Sequence, residues 1–180
     1  DPEPEKEQRD LLKLSINLAV TANNNIAVKG YGMDGFATGK LAVKSPYNSA
    51  TKLTGNLSLL GKFETYGQKF KIKKGNLIYN NESVYAPRLD ILTERYIEAE
   101  DITVGLEITG SAINPKTRTV SNPSMTDSEA LSWLLFGQGI SKVSASQAQS
   151  INSKSLALNA GGNLLVGSIG KSIGLDEASI

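Results

Sequence analysis

Apolar and polar residues alternate along most of the first two thirds of the chain. Leu12, Leu14, Ile16, Leu18 and Val20 are separated by Lys13, Ser15, Asn17 and Ala19. A period of two predicts a strand with one apolar face. Asn23-Asn24-Asn25 predicts a turn, because Asn tolerates left-handed backbone, and Ile26 and Val28 resume a short strand. Leu41 and Val43 mark the next strand, ended near Ser45-Pro46. Leu53, Leu57 and Leu59 alternate around Gly55. Phe63, then Phe70 and Ile72, then Leu77 and Tyr79 give three further runs, separated by Tyr66-Gly67-Gln68 and Lys74-Gly75-Asn76. Leu89 and Ile91 follow Pro87, and Ile102 to Ile108 carries its apolar side chains on one face. Turn signals recur about every ten residues as far as residue 121, which predicts an antiparallel meander of about nine short strands.

The period changes after Pro123. Thr126-Asp127-Ser128-Glu129 has the capping-box spacing ahead of Ala130 to Phe136. The Thr hydroxyl can accept an amide proton from the first turn, and the Glu can return the bond. Gly137 is the expected stop. Ala148, Ile151, Leu158, Leu165 and Ile169 then step by three, four and seven, which predicts a second helix weakened by Gly161, Gly162, Gly167 and Gly170. The expected divisions are a linker over 1–10, a sheet domain over 11–121 and a helical segment over 122–180. Residues 1–10 hold five acids, two bases and two prolines, and read as extended or disordered. The closing Gly174 to Ile180 reads as the opening of another element, so the chain is expected to be a piece of a larger protein.

Composition narrows the chemistry. The 180 residues carry 19 Lys+Arg against 18 Asp+Glu, a net charge of +1, which gives no whole-chain case for nucleic acid. Cysteine and histidine are both absent. That excludes disulfides, thiolate or imidazole metal sites, and nucleophile–histidine catalysis. Aromatics are only 6%, so the apolar face must be mostly aliphatic. No apolar run is long enough to span a bilayer as a helix.

The remaining motifs are weak. Gly170-Lys171-Ser172 ends like a phosphate-binding loop, but Leu165 stands where the motif needs its first glycine. Ser168 and Lys171 match the S-x-x-K spacing of some acyl-transfer enzymes without the companion motifs. Glu98, Glu100 and Asp101 read as a solvated turn before a strand. Lys62, Lys69, Lys71, Lys73 and Lys74 against Glu64 give residues 61–75 a net charge of +4. They read as a wet face guarded against edge pairing, with attraction to lipid phosphates as the functional alternative.

A one-faced meander must have its dry side covered. It can fold into a sandwich, close into a barrel, or stay open around a guest. The sandwich reading makes the chain a structural module of a surface adhesin or autotransporter-like protein. The open reading makes it a carrier.

The order of several segments bears on that choice. Tyr66-Gly67-Gln68, Lys74 to Tyr79, Ala86 to Ile91, Val104 to Gly110, Asn114-Pro115, Ser121 to Met125 and Glu129 to Gly137 follow one another. This succession resembles the C-terminal conserved domain of TamB, the inner-membrane subunit of the translocation and assembly module of Gram-negative envelopes. It covers about two fifths of the chain closely, and Ala86-Pro87 stands in place of an expected Asn-Pro. The resemblance implies a periplasmic domain of an inner-membrane-anchored, AsmA-like protein related to bridge-like lipid-transfer proteins. It implies an open, curled antiparallel sheet (β-taco-like) with an apolar concave face, plus the C-terminal helical segment. It also implies a non-enzymatic role without cofactor or metal, and TamA, nascent outer-membrane β-proteins and phospholipid acyl chains as partners. The expected cargo groove is walled by Leu14, Ile16, Leu18, Leu57, Leu59, Leu89, Ile91, Val104, Leu106 and Ile108.

Overall fold

The computed structural model describes residues 14–30, 33–65 and 67–159. The strands are β1 (Ile16–Gly30), β2 (Met33–Ser45), β3 (Lys52–Thr65), β4 (Gln68–Glu82), β5 (Arg88–Ile97), β6 (Ile102–Ser111) and β7 (Asn114–Asn122). They pair in chain order as one seven-stranded sheet, every neighbouring pair antiparallel. Helices α1 (Asp127–Phe136) and α2 (Ala145–Asn159) follow. A second sheet, as the sandwich requires, is not found among the described residues.

The strands are fewer and longer than the turn signals suggest, because two of those signals are bulges. Ala22 pairs with Gly39 and Ile26 with Ala37, so Asn23, Asn24 and Asn25 all stand opposite Thr38. The Thr38 hydroxyl donates to the Ala22 carbonyl at 3.1 Å and stitches the irregularity. Lys74-Gly75-Asn76 likewise lies inside β4, where Ile72 pairs with Thr93 and Lys74 with Leu92, leaving Lys73 as the extra residue. A bulge and a turn use the same residue types, since both break the ladder locally. Strand β7 goes unannounced in the sequence because its inward positions, Thr117 and Thr119, are polar.

The sheet is open but not curled, which corrects the expected trough. Among the described residues, strands β1 and β7 are both edges of the sheet. Leu14, Ile16 and Leu18 remain 61%, 40% and 56% exposed, where a sheet wrapped over its own apolar face would cover them. The largest buried cluster among the described residues is made by the helices at one end. Phe70 of β4 and Ile102 and Val104 of β6 form a buried cluster with Leu131, Leu134 and Leu135 of α1 and Ile151 of α2.

Local bonds fix that lid. The Thr126 hydroxyl accepts from the Glu129 amide at 3.2 Å and starts α1. Glu129 does not return the bond. Its carboxylate accepts from Trp133 Nε1 at 3.1 Å and from the Ile140 amide at 3.3 Å, which ties the helix to the turn that follows it. Gly137 ends α1 at φ 68°, a left-handed position that Gly fills without strain. Buried Ser132 donates to the Gln138 carbonyl at 2.7 Å.

Leu131 is 1% exposed and Leu18 is 56% exposed, so their truncation should have unequal effects. Leu131→Ala is expected to cost about 2–5 kcal/mol in urea-induced unfolding. Leu18→Ala should stay within about 0.5 kcal/mol of the unsubstituted chain.

Candidate functional site

Directly paired residues of an antiparallel ladder project from the same face. The register therefore assigns every candidate wall residue. Leu18 pairs with Val43 and Val43 with Leu53, and Val20 leads through Leu41 and Gly55 to Tyr79. Leu57 pairs with Leu77, Leu77 with Leu89, and Leu89 with Gly110. Ile91 pairs with Ile108, and Leu106 and Val104 follow at steps of two along β6. Ile16 precedes Leu18 on the same side of β1, and Leu59 follows Leu57 on β3. The expected wall residues that lie in strands thus share one face, while Leu14 precedes β1 and has no register partner.

That face is not uniformly available. Val104 is 0% exposed and belongs to the cluster under the helices, and Leu106 packs against that cluster. They anchor the lid. Ile108 is buried as well. Leu57, Leu59, Leu89 and Ile91 are half-buried in the middle of the sheet, and Leu14, Ile16 and Leu18 are open at the β1 end. The apolar surface is sealed under α1 and most open at Leu14, Ile16 and Leu18, with Ala22, Ala37, Leu53 and Tyr79 buried between these extremes.

The glycines shape this surface and escaped the period-two pattern. Gly35 pairs with Gly61, Gly39 with Leu57, and Gly55 with Leu41, so four glycines interrupt the aliphatic face across β2 and β3. All four are required by the backbone, since at Gly35 and Gly55 a Cβ would lie 2.0 and 2.2 Å from the Leu60 and Lys40 carbonyl oxygens. At Gly39 (φ 142°) a Cβ would lie 2.1 Å from the Asn56 carbonyl oxygen, and at Gly61 (φ 139°) it would lie 2.4 Å from that of Asp34. The signal was present as glycine spacing inside otherwise regular strands, which marks close backbone approach.

The opposite face is mostly polar, apart from the exposed pair Phe36 and Leu60. Lys74 reaches Asp90 at 2.7 Å, and Arg118 Nε donates to Glu107 at 2.9 Å. The Lys74 hydrogen bond holds the Asp90 carboxyl below the ordinary carboxylate range, and Asp90 in turn raises Lys74. Glu98, Glu100 and Asp101 form an exposed 3-10 turn between β5 and β6, as a solvated turn should. Asp101 accepts from the Tyr96 hydroxyl at 2.9 Å, and that bond raises the Tyr96 phenol. No cluster of metal-binding acids occurs among the described residues. The Ser168–Lys171 and Gly170–Ser172 motifs lie outside the described residues.

An open sheet with an apolar face partly covered by helices defines a surface module. The family model of the TamB C-terminal domain matches residues 1–180, and the chain belongs to that family. It is a non-enzymatic periplasmic domain of AsmA-like type. It is similar to the translocation and assembly module subunit TamB of Haemophilus influenzae, with 28% identity over 177 residues. The match takes in 94% of this chain and 13% of that relative, so the chain spans about an eighth of the relative's length.

The Lys74–Asp90 pair yields a pH test. A lowered carboxyl contributes stability above its unfolded-state pKa, and the contribution is lost as pH falls through the folded value. The pair is exposed, so the effect on stability is small. In an NMR titration Asp90 should protonate below the ordinary range, and Lys74→Met should return it upward.

Proposed function

We propose that this domain shelters apolar cargo in the periplasm, in outer-membrane β-protein assembly, in phospholipid transfer between the inner and outer membranes, or in both. The observation that carries this reading is the aliphatic face left bare beside the unpaired β1 edge. Leu14, Ile16 and Leu18 line that end, and Leu57, Leu59, Leu89 and Ile91 continue it inward. Val104 and Leu106 support it from beneath the lid, and Ile108 is buried further along β6.

Two kinds of cargo suit such a face. Acyl chains gain about 0.8 kcal/mol for each CH₂ taken from water, with no directional bonds. That is compatible with sliding along a smooth aliphatic surface. A nascent barrel strand would bury its apolar side chains on the same face and add its backbone to the open edge. The β1 edge favours the strand. From Ile16 to Val28 it contains no charged residue and no proline. Edges that must stay unpaired usually carry one or the other. Strand β7, at the far edge, carries Pro115, Lys116 and Arg118.

Family membership supports the rest of the setting. The relative's name, a translocation and assembly module subunit, fits a parent anchored in the inner membrane and working with the outer-membrane barrel protein TamA.

The test uses the full-length parent protein in cells. A photo-crosslinking residue at Leu18 should capture cargo, whereas one at Val104 should capture none, because that position is sealed. Leu18→Arg should leave the unfolding midpoint unchanged and reduce function. A Leu18→Arg protein that folds and functions fully would overturn the reading. Crosslinks to lipid alone would assign the cargo to acyl chains, and crosslinks to unfolded barrel proteins would assign it to strands.

A further inference from the structure

The polar face holds a second, unassigned feature at the β1 end. Lys44 of β2 and Lys52 of β3 stand directly opposite each other, and Asn17 of β1 pairs with Lys44. Like charges in direct cross-strand register repel and destabilise the pairing. The hairpin between these strands prevents them from separating. Its ends are tied by a Ser45–Thr51 hydroxyl bond of 2.8 Å and by the Ser49 amide on the Pro46 carbonyl at 3.2 Å.

A second lysine pair shows how the sheet normally relieves this conflict. Lys62 and Lys71 are also directly opposed, but their row reads Lys29, Asp34, Lys62, Lys71, Glu94 across five strands. Each lysine of the pair has a carboxylate at the next register position. The Lys44–Lys52 row offers only Asn17. Glu82 is the nearest acid in sequence register, opposite Leu53. The ion pairs among the described residues are Lys73–Glu94, Lys74–Asp90 and Arg118–Glu107, so no described carboxylate lies within ion-pair distance of Lys44 or Lys52.

Beside the two lysines the surface dips. The next row contains Ala19, Ala42 and Thr54, whose short side chains leave an open depression of about 490 Å³. Asn17, Lys44, Lys52 and Asn81 line it together with Leu18 and Val43. The lining residues include two lysines and two asparagines beside short side chains. Lys52 is half-buried there, while Lys44 is exposed.

We infer that this depression binds a phosphate group, taken either from a lipid headgroup or from a soluble phosphate ester. An anion bridging Lys44 and Lys52 removes their mutual repulsion, and Asn17 and Asn81 can donate to its remaining oxygens. The site lies on the face opposite the aliphatic surface and does not depend on the cargo reading.

The experiment uses the 180-residue chain. Flotation compares vesicles of phosphatidylethanolamine with phosphatidylglycerol against vesicles of phosphatidylethanolamine with phosphatidylcholine. A parallel NMR titration adds glycerol phosphate. Lys44→Gln/Lys52→Gln should weaken binding to the anionic vesicles by about tenfold. Lys62→Gln/Lys71→Gln, with the same loss of charge, should weaken it far less. Glycerol phosphate that shifts the amides of Asn17, Lys44, Lys52 and Asn81 assigns a soluble ester as sufficient ligand. A vesicle effect without those shifts assigns the lipid headgroup. Equal losses in both double variants, or no response in either arm, would overturn the site. Melting gives an independent readout that also checks folding. Lys52→Gln should raise the midpoint in buffer without phosphate, and added phosphate should stabilise the unsubstituted chain more than this variant.

Discussion

The packing of α1 and α2 on one end of the sheet is the constraint from which the other properties follow. A meander with one apolar face cannot remain wholly bare, because its lining would be exposed to water and to other chains. Leu131, Leu134, Leu135 and Ile151 close over Phe70, Ile102 and Val104, and this cluster removes the most strongly apolar part of the face from solvent. The helices themselves depend on the same contact, since α1 is short and buries residues on most of its circumference. Glu129, bonded to Trp133 and to the Ile140 amide, holds the lid in one piece.

Because the lid reaches only one end, a single pattern of alternating residues serves two purposes. In β6 it makes a core, and in β1 it makes a surface. The distinction is one of neighbours rather than residue type: Val104 and Leu18 are similar side chains on the same face with opposite exposure. Between them, half-buried aliphatics and four glycines make a low, smooth floor. A surface of this kind holds apolar groups through area alone, without directional bonds. That property suits transport and assembly better than any chemistry. It agrees with membership of the TamB C-terminal domain family.

The polar face follows a different rule. Most of its lysines are interleaved with carboxylates from adjacent strands, as in the row from Lys29 to Glu94. Such interleaving offsets repulsion while keeping the face wet. Lys44 and Lys52 depart from it, and they do so beside the most exposed part of the apolar surface. The β1 end therefore combines aliphatic and cationic groups on its two sides, a combination suited to a boundary between water and lipid.

Much of this was legible in the residues themselves. Period-two alternation identifies the strands and their dry face, and the register places Ile16, Leu18, Leu57, Leu89, Ile91 and Ile108 on one face. Thr126 and Gly137 mark both ends of α1, and the missing histidines and cysteines exclude much enzymatic chemistry. Tertiary structure decided the rest. Asn23-Asn24-Asn25 and Lys74-Gly75-Asn76 are turn-like in composition but lie within strands, because the partner strand continues past them. The openness of the sheet, the sealing of Val104 and the opposition of Lys44 and Lys52 all depend on which strands meet and in what register. Local sequence specifies periodicity and breaks; only long-range pairing and packing decide which side chains those patterns finally place against one another.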